Sequence, residues 1–445
     1  MGERDAAKRV FFHTLGCQMN DYDTGKMRAL LAADGYASTD DPELADLIVV
    51  NTCSIREKAV EKMHSVLGEY RRAKRSRPLT LGVAGCVAQE RGEQLMAKYP
   101  DIDLMFGPDG VPHVRELVRE AVAGKRVLDI DLLDLENYPF VSEVDPAQSG
   151  VGAFVTIQKG CDNACTFCIV PQTRGVEVSR PWEQILEEVR TVVARGARDI
   201  TLIGQNVNSY GLKLGGGVTF AQLLYKVAEV PGVTHIRYTT SHPRDMGDDV
   251  VQAYRDLPQL ASHLHLPVQS GSNRVLRRMK RFYTRERYLE VVAALRAARP
   301  GMVFTTDVIV GFPGETDDDF EQTMNLLHEV GFIGTFSFKY SPRPGTPALK
   351  LEMRDPVSDA VAGARLTRYQ DAQRALSLAW HRALEGSTVP VLVHGWSAHD
   401  PEVVMGRTSD FAAINFPGDA SLFGRTLPVT ITRGFTHSAR GEASR

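Results

Sequence analysis

Ala153-Phe154-Val155-Thr156-Ile157-Gln158-Lys159-Gly160-Cys161-Asp162-Asn163-Ala164-Cys165-Thr166-Phe167-Cys168 is an apolar, β-branched run that breaks at glycine into a loop with three cysteines. Residues 153–158 read as a strand. The loop has CxxxCxxC spacing and offers three thiolates. Thiolates hold iron–sulfur clusters, and a cubane [4Fe-4S] cluster has four irons to cap, so one iron stays open. An open iron can take the amino and carboxylate groups of S-adenosylmethionine. Electron transfer into the sulfonium then generates an adenosyl radical, a chemistry that the protein positions. A structural zinc site would need a fourth ligand, and the flanks supply no nearby His or Cys.

Downstream of this loop, β-rich runs alternate with helical ones. Strands are expected at 153–158, 199–203, 235–240, 263–268, 304–310 and 334–340, with helices such as 181–195 and 317–330 between them. Six such units suggest a partial (β/α)6 barrel, with the cysteine loop after its first strand, at the face where such barrels carry chemistry. A long helical stretch, 355–384, leads to short strands at 389–394, 403–407, 412–416 and 427–432, read as a small antiparallel β-barrel of a kind that often binds RNA.

Upstream, the first ~125 residues alternate β and α runs, as an open parallel sheet with crossover helices does. Runs 10–16, 47–52 and 81–85 each stop at a cysteine: Cys17, Cys53 and Cys86. In open α/β sheets ligands bind outside the carboxyl ends of the strands, so these three can converge although about 33–36 residues separate them. That is the geometry of a second cluster with one open iron. Each alone would read as a small buried hydrophobe. A junction rich in Pro, Ser and Gly, 137–152, divides the two α/β parts.

The 445 residues allow two or three domains. The start has no apolar signal core and no run could span a bilayer, so the expected compartment is the cytoplasm, where six cysteines are not disulfides. A net charge of −3 gives no global sign of nucleic-acid binding.

Gly204 and Gln205, past the strand 199–203, could hydrogen-bond a cofactor's amino acid or ribose, although a tight turn explains Gly204 equally well. The stretch from Thr306 to Glu315 repeats that arrangement. Phe167, Gly204, Gln205 and Asp307 are the expected contacts to S-adenosylmethionine. Two basic runs, 71–77 and 277–285, could neutralise phosphates or simply form solvated helix faces. The second also carries aromatics, which offer stacking, and its Arg277, Arg278, Lys280 and Arg281 are the candidate RNA contacts. His263 and His265 read as barrel packing or polar lining.

Gly16-Cys17-Gln18-Met19-Asn20, the run from Asn51 to Ala59, and Gly85-Cys86-Val87-Ala88 resemble the methylthiotransferase family of radical S-adenosylmethionine enzymes. So do Thr173-Arg174-Gly175, Ile203–Asn208, Leu264–Gly271 and Tyr340–Pro347, and the likeness spans essentially the whole chain. The resemblance implies a methylthiotransferase domain over 8–125 with an auxiliary cluster, a radical barrel over 147–376, and a tRNA-binding TRAM domain over 379–442. It implies two [4Fe-4S] clusters, on Cys161, Cys165 and Cys168 and on Cys17, Cys53 and Cys86. S-adenosylmethionine would serve as both methyl donor and radical source.

The implied substrate is tRNA with N6-isopentenyladenosine at position 37, 3′ to the anticodon, methylthiolated at C2. The flanks Gln18-Met19-Asn20 and Ser54-Ile55-Arg56 favour it over the relatives that act on a ribosomal protein or on threonylcarbamoyladenosine in tRNA. The resemblance further implies an electron donor such as a flavodoxin or ferredoxin, a monomer, and no membrane. Departures from the family pattern are Asp162 for the usual Asn, Phe167 for Tyr, and Ser409-Asp410-Phe411-Ala412-Ala413 in place of a more polar, often basic stretch.

Overall fold

Leu47 to Thr52 are buried at every position, as a strand covered on both faces of a sheet must be. The structure is a computed structural model that describes residues 8–54, 57–133, 138–148, 150–213, 217–398 and 400–443. The chain divides into two compact units. One comprises Met1–Gln148, Lys159–Asp162 and Ile169–Arg180; the other comprises Ser149–Gln158, Asn163–Cys168 and Pro181–Arg445.

The first unit is a six-stranded parallel sheet. Its strands are β1 (Arg9–Leu15), β2 (Ala37–Ser38), β3 (Leu47–Thr52), β4 (Thr80–Ala84), β5 (Leu104–Phe106) and β6 (Val127–Asp129), in the order β2-β1-β3-β4-β5-β6. Helices α1 (Gln18–Ala33), α2 (Glu57–Ser76), α3 (Cys86–Lys98) and α4 (Val114–Val122) connect them. Two apolar cores form, one with Ile48, Val50, Met63, Leu67 and Leu81, the other with Val10, Met27, Leu31, Val49 and Phe106. The open parallel sheet matches expectation, although two of its edge strands have only two and three residues, too short for a periodicity to show.

In the second unit, parallel strands β7 (Gly152–Thr156), β10 (Asp199–Ile203) and β11 (His235–Tyr238) form one sheet. The two-residue strands β8 (Gln158–Lys159) and β9 (Val178–Ser179) come between β7 and β10 in the chain. Strands β12 (His263–His265), β13 (Val303–Val310) and β14 (Gly334–Lys339) form a second parallel sheet, and Ile236 of β11 bridges to Leu260, just ahead of β12. The expected six β/α units are present. The strand expected at 263–268 stops at His265: Leu266 N–H still donates to the Thr305 carbonyl, but Pro267 has no N–H to give and Val268 N–H turns to the Thr306 hydroxyl. The helix Asp317–Val330 shows why its bounds were legible. Thr316 and Asp319 form a capping box, and Gly331 closes the other end in a left-handed conformation.

A long helix, Asp359–Ala383, leads into a closed barrel of β15 (Thr388–Ser397), β16 (Asp400–Arg407), β17 (Ala413–Pro417), β18 (Thr426–Gly434) and β19 (Ala439–Ala443), in the order β15-β16-β17-β19-β18. The barrel is antiparallel as expected except at one seam, where β17 and β19 pair in parallel. Strand β19, Ala-Arg-Gly-Glu-Ala, has no β-branched residue and gave no sequence signal. Among the described residues no helix is long and apolar enough to cross a membrane.

Candidate functional site

In the first unit, adjacent strands β1, β3 and β4 end one or two residues before Cys17, Cys53 and Cys86. Cys17 is the N-cap of α1 and Cys86 opens α3. Helix N-termini favour anions and so the thiolate form. Two glycines make the approach possible. Gly16 lies at φ 135°, where a Cβ would overlap Cβ of Cys53; Gly85 lies at φ 91°, where a Cβ would come 2.8 Å from the Thr52 carbonyl oxygen and overlap the Asn51 amide.

A hydrogen bond with Cys53 brings the Cys17 thiol down to about 6 against the opposing effect of burial, with help from the charge of Arg174. Cys17 Sγ also donates to Asn20 Oδ1 at 3.1 Å. Burial pushes the Cys86 thiol up, and Arg174 opposes this by charge and hydrogen bond. Arg174 is itself buried, at the end of α5 (Val170–Arg174), and donates to Asp23 Oδ2 at 2.7 Å. Flanking Cys53, the hydroxyls of Thr52 and Ser54 are buried and find no partner among the described residues.

Thus three soft ligands, a buried cation and two unsatisfied hydroxyls gather at one sheet end, a donor set that fits a thiolate-ligated cluster. No three His, Cys, Asp or Glu side chains among the described residues are arranged to chelate one ion. The thiolates of a cubane bind separate irons and need not meet at one point.

Of the second trio, Cys161 falls in the first unit and Cys165 and Cys168 in the second. Within the first unit Cys161 N–H donates to the carbonyl of Gly175 at 3.2 Å, the residue after Arg174. Gly160, at φ 73°, lies against the backbone of Val176, where a Cβ would clash. In the second unit the Cys168 N–H closes a turn on the Cys165 carbonyl at 3.1 Å. The Arg281 guanidinium lies 3.4 Å from Cys165 Sγ and also donates to Pro267 O and Tyr283 Oη. Beside it burial brings the His242 imidazole down to about 2, with Arg281 and Arg244 adding, so that ring is neutral.

Arg281 therefore departs from the expectation of an RNA contact: it is buried and turned toward Cys165. Of the other candidates, Arg277 and Lys280 are exposed, and Arg278 is paired with Asp355 at 2.8 Å. Phe167 packs with Met279, Phe312 and Ala348. Gly204 and Gln205 follow β10, and a Cβ on Gly204 would come 2.7 Å from Gln158 Cγ. Gln158 escaped the sequence reading: it is fully buried and neither of its amide atoms has a partner among the described residues.

Asp307 lies mid-strand on β13, 3.5 Å from His265 Nε2. On the same face Phe336 and Phe338, register partners of Asp307 and Ile309, are 55% and 43% exposed. No periodicity identifies them, because exposed apolar residues on a parallel strand look like core.

Three family models match the chain: the Radical SAM superfamily over 155–327, the Uncharacterized protein family UPF0004 over 9–107, and the TRAM domain over 382–444. The chain is 46% identical over 439 residues to a tRNA-2-methylthio-N(6)-dimethylallyladenosine synthase of Geobacter metallireducens, covering 98% of each. It is 47% identical to the protein of that name from Myxococcus xanthus, covering 98% of this chain and 94% of the other. A solved radical S-adenosylmethionine methyltransferase from Kitasatospora setae shares the fold, with a TM-score of 0.58 at 14% identity, over 77% of this chain and 74% of that one.

Proposed function

Because the chain belongs to the tRNA-2-methylthio-N6-dimethylallyladenosine synthases of the radical S-adenosylmethionine superfamily, we propose that its two cysteine trios divide the reaction between them. The enzyme converts N6-isopentenyladenosine at position 37 of tRNA to its 2-methylthio derivative. Cys161, Cys165 and Cys168 hold the cluster that activates S-adenosylmethionine; Cys17, Cys53 and Cys86 hold the auxiliary one. When bound, these groups supply an electron, an adenosyl radical and a sulfur that can be methylated.

The chain's own residues do the rest. Gly16 and Gly85 let the auxiliary thiols approach, and Arg174 sets a fixed positive charge beside Cys17 and Cys86. Arg281 directs a cationic donor at Cys165. Phe167, Gly204, Gln205 and Asp307 are assigned to S-adenosylmethionine, and the unpartnered amide of Gln158 joins them at the barrel mouth. C2 of adenine carries an unactivated C–H bond that neither base nor nucleophile readily attacks, so a radical is required. The half-exposed rings of Phe336 and Phe338 suit an apolar prenyl tail, where a charged threonylcarbamoyl group would lose its hydration.

The observation that carries this reading is the buried Arg174 between Asp23 and the thiols of Cys17 and Cys86. We place the enzyme in the cytoplasm as a monomer that takes electrons from a flavodoxin or ferredoxin. Its test is a substrate panel with anaerobically reconstituted enzyme, reductant and S-adenosylmethionine. Methylthiolation of isopentenylated tRNA alone is expected; turnover only of a threonylcarbamoylated tRNA or a ribosomal protein would overturn it.

A further inference from the structure

Two residues with side chains, Lys280 and Phe282, lie in the left-handed region at φ 53° and 56°, on either side of Arg281. Cβ sterics disfavour that conformation, and a bulky aromatic has no local hydrogen bond to offset it. The arrangement has a consistent result. Arg281 between them points inward and is buried, while Phe282 is 62% exposed. A strained backbone that removes a phenyl ring from the core is retained by its surroundings, and such strain concentrates at functional sites.

The surroundings that hold it are on the inner side. Arg281 is fixed by Cys165 Sγ, Pro267 O at 3.0 Å and Tyr283 Oη at 3.2 Å, and Tyr283 Oη donates to Val268 O at 2.6 Å. Thr166 N–H donates to Met279 O and its hydroxyl to Arg278 O, both at 3.0 Å. The turn is therefore fastened to the Cys165–Cys168 loop from within. On the outer side, Arg277 and Lys280 are exposed cations with no carboxylate partner among the described residues.

We propose that Phe282 is a stacking platform for an unstacked nucleobase of the tRNA anticodon loop, flanking the reacting adenosine, with Arg277 and Lys280 on the adjoining phosphates. Single-stranded bases are recognised by stacking on aromatic rings, and cations beside the ring hold the backbone. The reacting base must leave the loop's stack to present C2, and a ring at the cluster loop takes the place of the lost neighbour. This assignment rests on the tRNA reading above and adds the residue that grips the loop.

The test measures binding of full-length protein to isopentenylated tRNA, together with thermal unfolding. Phe282→Ala is expected to weaken affinity roughly tenfold, a typical loss for one stacked base, and Phe282→Trp to preserve it. Phe282→Gly separates platform from scaffold: it relieves the left-handed strain, so its unfolding midpoint rises while its affinity falls as in Phe282→Ala. Lys280→Gln should lower the slope of log Kd against log salt by about 0.7–0.9, as for one lost phosphate contact, while Phe282→Ala leaves that slope unchanged. Wild-type affinity in Phe282→Ala, or a variant impaired only in reduction by a protein electron donor, would overturn the platform. Wild-type protein that does not bind tRNA would instead overturn the reading on which it rests.

Discussion

Arg174 Nη2 lies 2.7 Å from Asp23 Oδ2, a buried ion pair that places its cation beside the thiols of Cys17 and Cys86. Two links follow from one residue. Through its side chain Arg174 serves the auxiliary trio, and through the next carbonyl, on Gly175, it receives the Cys161 N–H. A backbone hydrogen bond thus ties Cys161 to the residue that follows the charge partner of Cys17 and Cys86.

Removing one member of that pair leaves a buried charge unmatched. Burial already pushes the Asp23 carboxyl up, and Arg174 is what holds it down. Arg174→Met is expected to cost about 3–5 kcal/mol. Combining it with Asp23→Leu should cost less than the sum of the two single changes, because the orphaned carboxylate is gone. Chemical denaturation of the four proteins checks the coupling.

Glycine at the strand ends is a second requirement. Gly16→Ala or Gly85→Ala introduces a Cβ into space held by Cys53 or by Asn51 and Thr52, at φ values alanine disfavours. Each variant should keep the radical cluster and lose the auxiliary one, so iron should fall from about eight to about four per chain. Both iron analysis and the visible spectrum report it.

The guanidinium beside Cys165 should tune the radical cluster's potential. A cationic donor near a ligand sulfur favours the reduced, more negative state. With Arg281→Met the potential should fall by roughly 60–120 mV, equivalent to ~1.4–2.8 kcal/mol for a single electron. Potentiometry with EPR detection reads this without turnover, and an unchanged potential would contradict the role.

Acid should loosen the C-terminal barrel. Asp199 is buried; burial alone would raise its carboxyl, but the His394 ring, 3.4 Å away, and the charge of Arg237 hold it at about 2. Arg237 in turn donates to the carbonyls of Thr408 and Ser409, which belong to that barrel's segment. A depressed carboxyl stabilises above its unfolded value of about 3.9, and that stability is lost as pH falls toward 2. Thermal unfolding followed from pH 5 to pH 2 should show this loss, and Asp199→Asn should make it smaller.

How much of this was legible in the sequence differs by residue. Cys17, Cys53 and Cys86 declared themselves because each follows an apolar run, and runs of that kind pair in parallel. Their charge partner did not, because Arg174 comes from another stretch of chain and only folding brings it to Asp23. In the run from Arg277 to Arg281, charge was visible but direction was not. The two left-handed residues turn Arg281 inward, and no composition encodes that. Gln158 was silent for a related reason, since one polar residue at a strand end becomes informative only once its amide is seen buried without partners.

Two separate thiolate trios in one chain are proposed to carry out a single methylthiolation. Mass spectrometry of tRNA nucleosides from cells that lack the protein tests it, with the wild type, the Cys17→Ala variant or the Cys165→Ala variant restored. 2-Methylthio-N6-isopentenyladenosine is expected with the wild type only, and accumulation of the unthiolated isopentenyl nucleoside with either variant. Full methylthiolation by the Cys17→Ala variant would contradict it.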